Sequence, residues 1–348
     1  MGKILSQILT ALLTLGFLSS CSGAFDIIPD PSPDITASPT SPAVSVQGTI
    51  SSSTVDQIVL LDTLCGHNGR VMRVAFSPDS VLVASSSEDM TIKLWDLRSM
   101  KEVHTFLMTN IDMRDITFAP KTNLLASGEA IWNIENMQEV HVLERGNQMP
   151  AQVSFSPDGS LLAIALLNQA IQLWDVASGE VLRTFEIQSD NHAFNIEFSP
   201  DGKLLAAGGL NGTVRLWDVE KGQIAKTLEY GNESGIHDVA FSPDGSILAS
   251  GGTIPTIRFW DVTSGEVVKT LRLQDGLYSL AFSPDGTILA SAGGNEHAVV
   301  LWDVESGERL RSLPHGDQLM SIAFSPDGKL LAAGCYDHQV YIWGIPTD

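Results

Sequence analysis

Basic residues are scarce in this 348-residue chain: 20 Lys and Arg stand against 41 Asp and Glu, a formal charge of −21. A surface that acidic repels a phosphate backbone, which excludes nucleic acid as a partner. Cysteine is almost absent too. Cys21, Cys65 and Cys335 are too few for a disulfide scaffold and show no zinc-ligand spacing. No nucleophile elbow, phosphate-cradling glycine loop, HExxH or calcium-loop pattern occurs, so no catalytic residue, cofactor or metal is expected. Among the eight histidines, His67 and His315 read as structural and the others as ordinary loop or outer-strand residues. Aromatics are only 7% of the chain, yet their placement is its most informative feature.

Met1-Gly2-Lys3 precede an apolar run from Ile4 to Leu18, the layout of a secretory signal. Ser6, Gln7, Thr10 and Thr14 interrupt it, and it is short for a membrane span. The run ends in Leu18-Ser19-Ser20-Cys21, which resembles the lipobox of bacterial lipoproteins. That resemblance implies a signal peptide over residues 1–20 and a lipid on the Cys21 thiol, the membrane being touched through this anchor alone. Three alternatives stay open: ordinary secretion, an uncut membrane anchor, and N-myristoylation, whose loose pattern covers Met1 to Ser6. Beyond Cys21, Pro29, Pro31, Pro33, Pro39 and Pro42 sit among Ser, Thr and Asp, with no Lys or Arg before Arg70. Such a segment buries too little apolar surface to offset its ordering entropy, so residues 21–56 are expected to be a lipidated cysteine on a flexible tether.

The seven tryptophans recur at Trp95, Trp132, Trp174, Trp217, Trp260, Trp302 and Trp343, with gaps of 37, 42, 43, 43, 42 and 41. Phe76, Phe118, Phe155, Phe198, Phe241, Phe282 and Phe324 run in phase with them. A period of about 40–45 residues marks a repeat whose units cannot bury their faces alone. Each unit reads as four short strands; in the third these include Val153–Phe155, Leu161–Ala163, Ile171–Trp174 and Val181–Arg183. Ser156-Pro157-Asp158-Gly159 makes a turn between the first two, and Ser178-Gly179 another between the last two.

The LWDV elements (Leu173–Val176, Leu216–Val219, Leu301–Val304) and the repeated Phe-Ser-Pro-Asp-Gly resemble the WD-repeat β-propeller family over about Gln57 to Trp343. The resemblance implies an all-β fold: a seven-bladed β-propeller of four-stranded antiparallel blades over residues 57–348, standing as a monomer around a channel. The chain stops five residues after Trp343, so the last blade lacks an outer strand of its own. Val59 to Leu64 align with the outer strands of other blades and are expected to close the ring. The family's His, Ser/Thr, Asp and Trp hydrogen-bond set is complete only in the first blade, at His67, Ser85, Asp89 and Trp95. The last blade keeps His315, Asp337 and Trp343 but has Ala333 at the serine position. Blade 2 is shortened around Trp132.

Alternating strand direction puts the loops after each second strand and the crossovers between blades at one end, the upper face. Once framework aromatics are set aside, Phe194, Tyr230, Tyr278 and Tyr336 remain, and all map to that end. Four residues before each repeat Phe stand Met72, Arg114, Ala151, Phe194, His237, Tyr278 and Met320. The family resemblance places this position at the channel rim, where partners bind. Met72, Arg114, Phe194, His237, Tyr278, Met320 and Tyr336 are therefore the candidate surface for a protein or peptide, unless these side chains turn inward and plug the channel. The expected function is a non-catalytic, lipid-anchored, extracytoplasmic scaffold on a bacterial membrane. A permanent structural role in an envelope assembly is an alternative. So is a carbohydrate-binding or enzymatic propeller, disfavoured by the apparent lack of convergent carboxylates or a cationic cluster at the channel.

Overall fold

Each of the seven units folds into one four-stranded antiparallel sheet. The computed structural model describes residues 46–109, 115–144, 150–167, 170–187, 193–231 and 235–347, excepting the side chains of Ala193 and Phe194. All of these fall in one unit covering residues 40–348. The signal segment, Cys21 and Arg114 lie outside the described residues. Helix among the described residues is confined to the short turns Val55–Gln57 and Gly294–Glu296, and none is long and apolar enough to cross a membrane.

Blade 3 shows how the repeat dictates the sheet. Its strands are Pro150–Phe155, Leu161–Leu166, Ala170–Asp175 and Glu180–Glu186, from the channel outward. The second strand is buried along nearly its whole length, because both its faces meet neighbouring blades. It therefore reads as a continuous apolar run, LLAIAL, not as an alternation. The outermost strand is exposed except at Phe185, which stacks on Trp217 of blade 4 at 5.3 Å between ring centroids. The repeat tryptophan is thus shared between blades, which is why one unit cannot fold alone.

The turn after the inner strand is held by its own side chains. Ser156 donates to Asp158 Oδ1 at 2.6 Å and accepts the Leu161 N–H at 2.9 Å. The Ser156 hydroxyl, with the backbone and hydroxyl of Ser160, pulls the Asp158 carboxyl down to about 2. Gly159 takes φ +76°, and in blade 1 Ser80 occupies the equivalent left-handed position itself at +59°.

The ring closes as the sequence predicts. Val59–Cys65 pairs antiparallel with Gln339–Gly344 and puts Leu60 opposite Trp343. Cys335 lies on the far side of that same strand from Cys65, and both side chains are thiols.

The tether expectation needs correction at its C-terminal end. From Val46 onward the chain packs on the propeller: Val46 bridges Pro346, Gln47 N–H bonds Ile345 O, and Ile50 N–H bonds Gly328 O. Ile50, Val55 and Ile58 are buried with residues of blades 6 and 7. The reason is topological. Blade 7 takes its outer strand from the N-terminus, so it has no turn joining its third and fourth strands. In blades 4, 5 and 6 that turn receives a cation from the preceding blade: Arg183 donates to Val219 O and Glu220 O, Lys226 to Thr263 O, and Lys269 to Val304 O and Glu305 O. At the closing junction Arg311 donates to Val55 O instead. The N-terminal segment fills the place of the missing turn.

Candidate functional site

The inner strand of each blade has a ladder partner on one side only, so half of its N–H groups need acceptors from elsewhere. The side chain three residues before the repeat Phe supplies one, always to the next blade. Asp115 accepts the Val153 N–H at 2.7 Å, Gln152 that of Ile196 at 2.5 Å and Asn195 that of Val239 at 3.3 Å. Asp238 accepts from Leu280 at 2.5 Å, Ser279 from Ile322 at 3.2 Å, and Ser321 from Val74 of blade 1 at 3.2 Å. Blade 1 departs from the pattern. Arg73 cannot accept, and its Nε lies 2.6 Å from Asp115 Oδ1 as an ion pair.

These side chains line a channel of about 390 Å³, with Glu197 one residue before Phe198. Carboxylates do converge here, contrary to the expectation from sequence. Asn195 donates to Asp238, and Glu197 accepts the Phe241 N–H at 2.6 Å. Burial lifts the Glu197 carboxyl to about 8, with the charge of Asp238 adding to it, although Glu197 still touches channel solvent. Burial raises Asp238 to about 6 against the pull of Arg73. It also pushes Asp115 upward, more than the Arg73 pair draws it back. Burial opposes the charge of Arg73 as well, but Asp115, Asp238 and Glu197 outweigh it and hold the guanidinium above its ordinary value. The missed signal was positional. The residue three before the repeat Phe is polar in all seven units, Arg73, Asp115, Gln152, Asn195, Asp238, Ser279 and Ser321, but each looks alone like the polar half of a strand alternation.

The predicted rim residue sits one position earlier, on a β-bulge. The register between inner and second strands slips at Met72, Ala151, Phe194, His237 and Met320. A bulge inserts a residue without a ladder partner and re-aims its side chain. Met72, His237, Tyr278, Met320 and Tyr336 are all half-buried. Phe194 lies in the inner strand Ala193–Phe198, its side chain outside the described residues. His237 stacks on Tyr278 with centroids 5.7 Å apart and planes 7° apart, and its Nδ1 donates to Leu277 O at 2.9 Å. Burial, then Tyr336 and Asp275, raise the Tyr278 hydroxyl above its usual value. Arg70 lies over the Tyr336 ring at 3.9 Å and pairs with Glu88 at 3.5 Å. Blades 5, 6, 7 and 1 thus contribute a His–Tyr stack and an Arg–Tyr contact to one end. Tyr230 does not belong with them. It is 5% exposed, donates to Ser250 O at 2.6 Å and serves as core.

The first-blade hydrogen-bond set runs as one chain. Trp95 Nε1 donates to Ser85 Oγ at 2.8 Å, Ser85 Oγ lies 2.8 Å from His67 Nε2, and His67 Nδ1 lies 2.9 Å from Asp89 Oδ2. Burial lowers the His67 pKa despite Asp89, so the imidazole is neutral, with its proton on Nδ1 facing the carboxylate. Blades 5 and 6 keep the Trp–Ser bond, at Trp260–Ser250 and Trp302–Ser291. In blades 3 and 4 the serine position holds Ile164 and Ala207, and the Trp174 and Trp217 indole N–H groups are buried without a partner.

Comparison with known proteins agrees with this architecture. The family described as WD domain, G-beta repeat matches residues 58–96, 179–218, 222–261, 265–303 and 307–344, together more than half of the chain. The family described as Anaphase-promoting complex subunit 4 WD40 domain matches residues 116–194. Among individual proteins, the chain is similar to the Periodic tryptophan protein 2 homolog of Neurospora crassa, 37% identical over 67 residues, 19% of this chain and 8% of that protein. It is similar to the Small ribosomal subunit protein RACK1 of Glycine max, 50% identical over 46 residues, 13% of this chain and 14% of that protein. The chain thus spans only a small fraction of these relatives' length. With seven in-phase blades, the Trp–Ser–His–Asp chain of blade 1 and five matched repeats, the chain belongs to the WD-repeat family of β-propellers.

Proposed function

We propose that the chain is a non-catalytic WD-repeat platform that binds a protein or peptide on its upper face, held outside a bacterial cytoplasmic compartment by a lipid on Cys21. The observation that carries the binding reading is the upper-face group in which His237 stacks on Tyr278 and Arg70 covers Tyr336. Aromatic and Arg side chains with an apolar body and a polar tip are the residues that dominate protein interfaces. Arg70 and Met72 stand on blade 1, His237 on blade 5, Tyr278 on blade 6 and Met320 on blade 7, so a partner lying across the face contacts several blades at once. The channel carboxylates favour a structural over a catalytic part, because Asp115 and Asp238 spend their oxygens on backbone N–H groups of the next blade. One relative is named as a small ribosomal subunit protein. Here the charge of −21 points to protein and away from RNA. The lipid anchor rests on Leu18-Ser19-Ser20-Cys21 after an apolar run.

A second reading is favoured by one observation. Glu197 near 8 and Asp238 near 6, in a channel reached by water, have the split that acid–base chemistry uses. Cross-linking in the source organism's envelope separates the two. A Phe194→Ala/Tyr278→Ala variant loses at least tenfold of partner capture while Lys203→Ala, on the lower face, keeps it. Normal capture by the folded double variant overturns the face assignment. Cys21→Ser releases the protein from the detergent phase; a variant that stays membrane-bound and is processed normally overturns the anchor.

A further inference from the structure

In blade 1 the His67 imidazole is tied on both sides, to Ser85 at 2.8 Å and to Asp89 at 2.9 Å. In blade 7 the equivalent imidazole, His315, has lost both ties. Ala333 carries no hydroxyl, and Asp337 Oδ2 lies 4.0 Å from His315 Nε2. A thiol has taken up position beside it: Cys335, at the register place of Ser87, holds its Sγ 3.5 Å from His315 Nδ1. Donor atoms of His315, Cys335 and Asp337 all fall within 4.8 Å of one another. We propose that these three side chains form a binding site for a zinc-type divalent cation, with solvent as the fourth ligand. This goes beyond the partner-binding reading and does not depend on it.

The geometry suits that ion. Metal–nitrogen and metal–sulfur bonds of about 2.05 and 2.3 Å at a tetrahedral angle hold N and S about 3.6 Å apart, against 3.5 Å here. One imidazole, one thiolate and one carboxylate make a borderline-soft set, which selects zinc over magnesium or calcium. The outer contacts are those that orient ligands. Tyr341 donates to Asp337 Oδ2 at 2.6 Å, Gln339 N–H donates to Oδ1 at 3.2 Å, and the Tyr341 ring packs edge-on against His315 at 4.0 Å. Nδ1 of His315 accepts the Asp317 N–H at 3.2 Å, a bond that a small ring rotation exchanges for the metal. Cys335 is fully buried, while His315 and Asp337 are partly exposed. An ion therefore enters from the upper face and meets the thiol last. On binding, the Cys335 S–H bond breaks, a sulfur–metal bond forms, and the proton leaves to solvent.

Titration of the reduced, metal-free full chain with Co²⁺ tests this. The expected result is tetrahedral visible bands with a thiolate-to-cobalt charge-transfer band at stoichiometric metal, displaced by Zn²⁺ with release of a proton. Cys335→Ser abolishes the charge-transfer band, His315→Gln weakens Co²⁺ binding at least tenfold, and Cys65→Ser leaves both unchanged. Zn²⁺ raises the melting temperature of the native chain, and Asp337→Asn diminishes that rise. No charge-transfer band in the native chain, its persistence in Cys335→Ser, or its loss in Cys65→Ser overturns the site. Should Cys335→Ser not fold, an unweakened band in His315→Gln overturns it equally.

Discussion

Arg73 Nε of blade 1 lies 2.6 Å from Asp115 Oδ1 of blade 2, an ion pair at the one described junction where the inner-strand side chain cannot accept a backbone N–H. Asp115 also accepts the Val153 N–H of blade 3, so a single carboxylate links three blades. Removing one member of a buried pair typically costs about 3–5 kcal/mol, because the other charge is left uncompensated. Arg73→Ala should therefore lower the denaturation midpoint sharply. Adding Asp115→Asn should recover much of the loss, since the amide oxygen still accepts from Val153. Urea unfolding of the single and double variants checks this; a loss under about 1 kcal/mol for Arg73→Ala would mean that channel water carries the charge.

Glu197 sets a pH dependence whose sign follows from its raised pKa. The folded chain holds that proton up to about pH 8, whereas the unfolded chain loses it near 4.5. Its contribution is complete below the unfolded value and declines as pH rises through about 8. Stability should fall from about pH 4.5 to about pH 8, and Glu197→Gln, which mimics the protonated form, should flatten that fall. His67 acts in the opposite sense. Its pKa is lowered by burial, so its contribution is present above the unfolded value of about 6.5 and is lost as pH falls below it. Melting curves across pH test both; a Glu197→Gln profile parallel to the native one refutes the assignment.

Trp174 and Trp217 each bury an indole N–H with no acceptor, while Trp95, Trp260 and Trp302 find one in serine. Ala207→Ser restores the hydroxyl at the position facing Trp217 and should stabilise the domain by about 0.5–1.5 kcal/mol. Thermal melting reads the gain. A destabilised variant would show that the added oxygen crowds the blade 3–blade 4 interface instead of reaching the indole.

Ile58 is fully buried beside blades 6 and 7, in the segment that replaces the missing turn. Truncating such a side chain to alanine costs about 2–5 kcal/mol. Ile58→Ala should therefore destabilise as a core variant does, and a cost near zero would mean that this segment does not pack on blades 6 and 7.

The fold was legible in the sequence because its strongest signals are local and repeated. The Trp and Phe ladders, the Ser-Pro-Asp-Gly turns and the five residues left after Trp343 each report a backbone event that needs no distant partner to be read. Even ring closure by Val59 to Leu64 followed from counting strands. The repeated position four residues before each Phe was legible, although its bulge was not, since a register slip is a property of two strands together. What only the tertiary structure decided are contacts between blades. Arg73, Asp115, Glu197 and Asp238 lie far apart in the chain, and only the ring brings them to one channel, where burial changes their proton affinity. Ile50, Val55 and Ile58 stand in a stretch that reads as loop, and they are core only because an N-terminal strand leaves blade 7 without a turn to receive Arg311. Local propensity encodes strands and turns. Which polar side chain satisfies which orphaned N–H is settled only when the seventh blade meets the first.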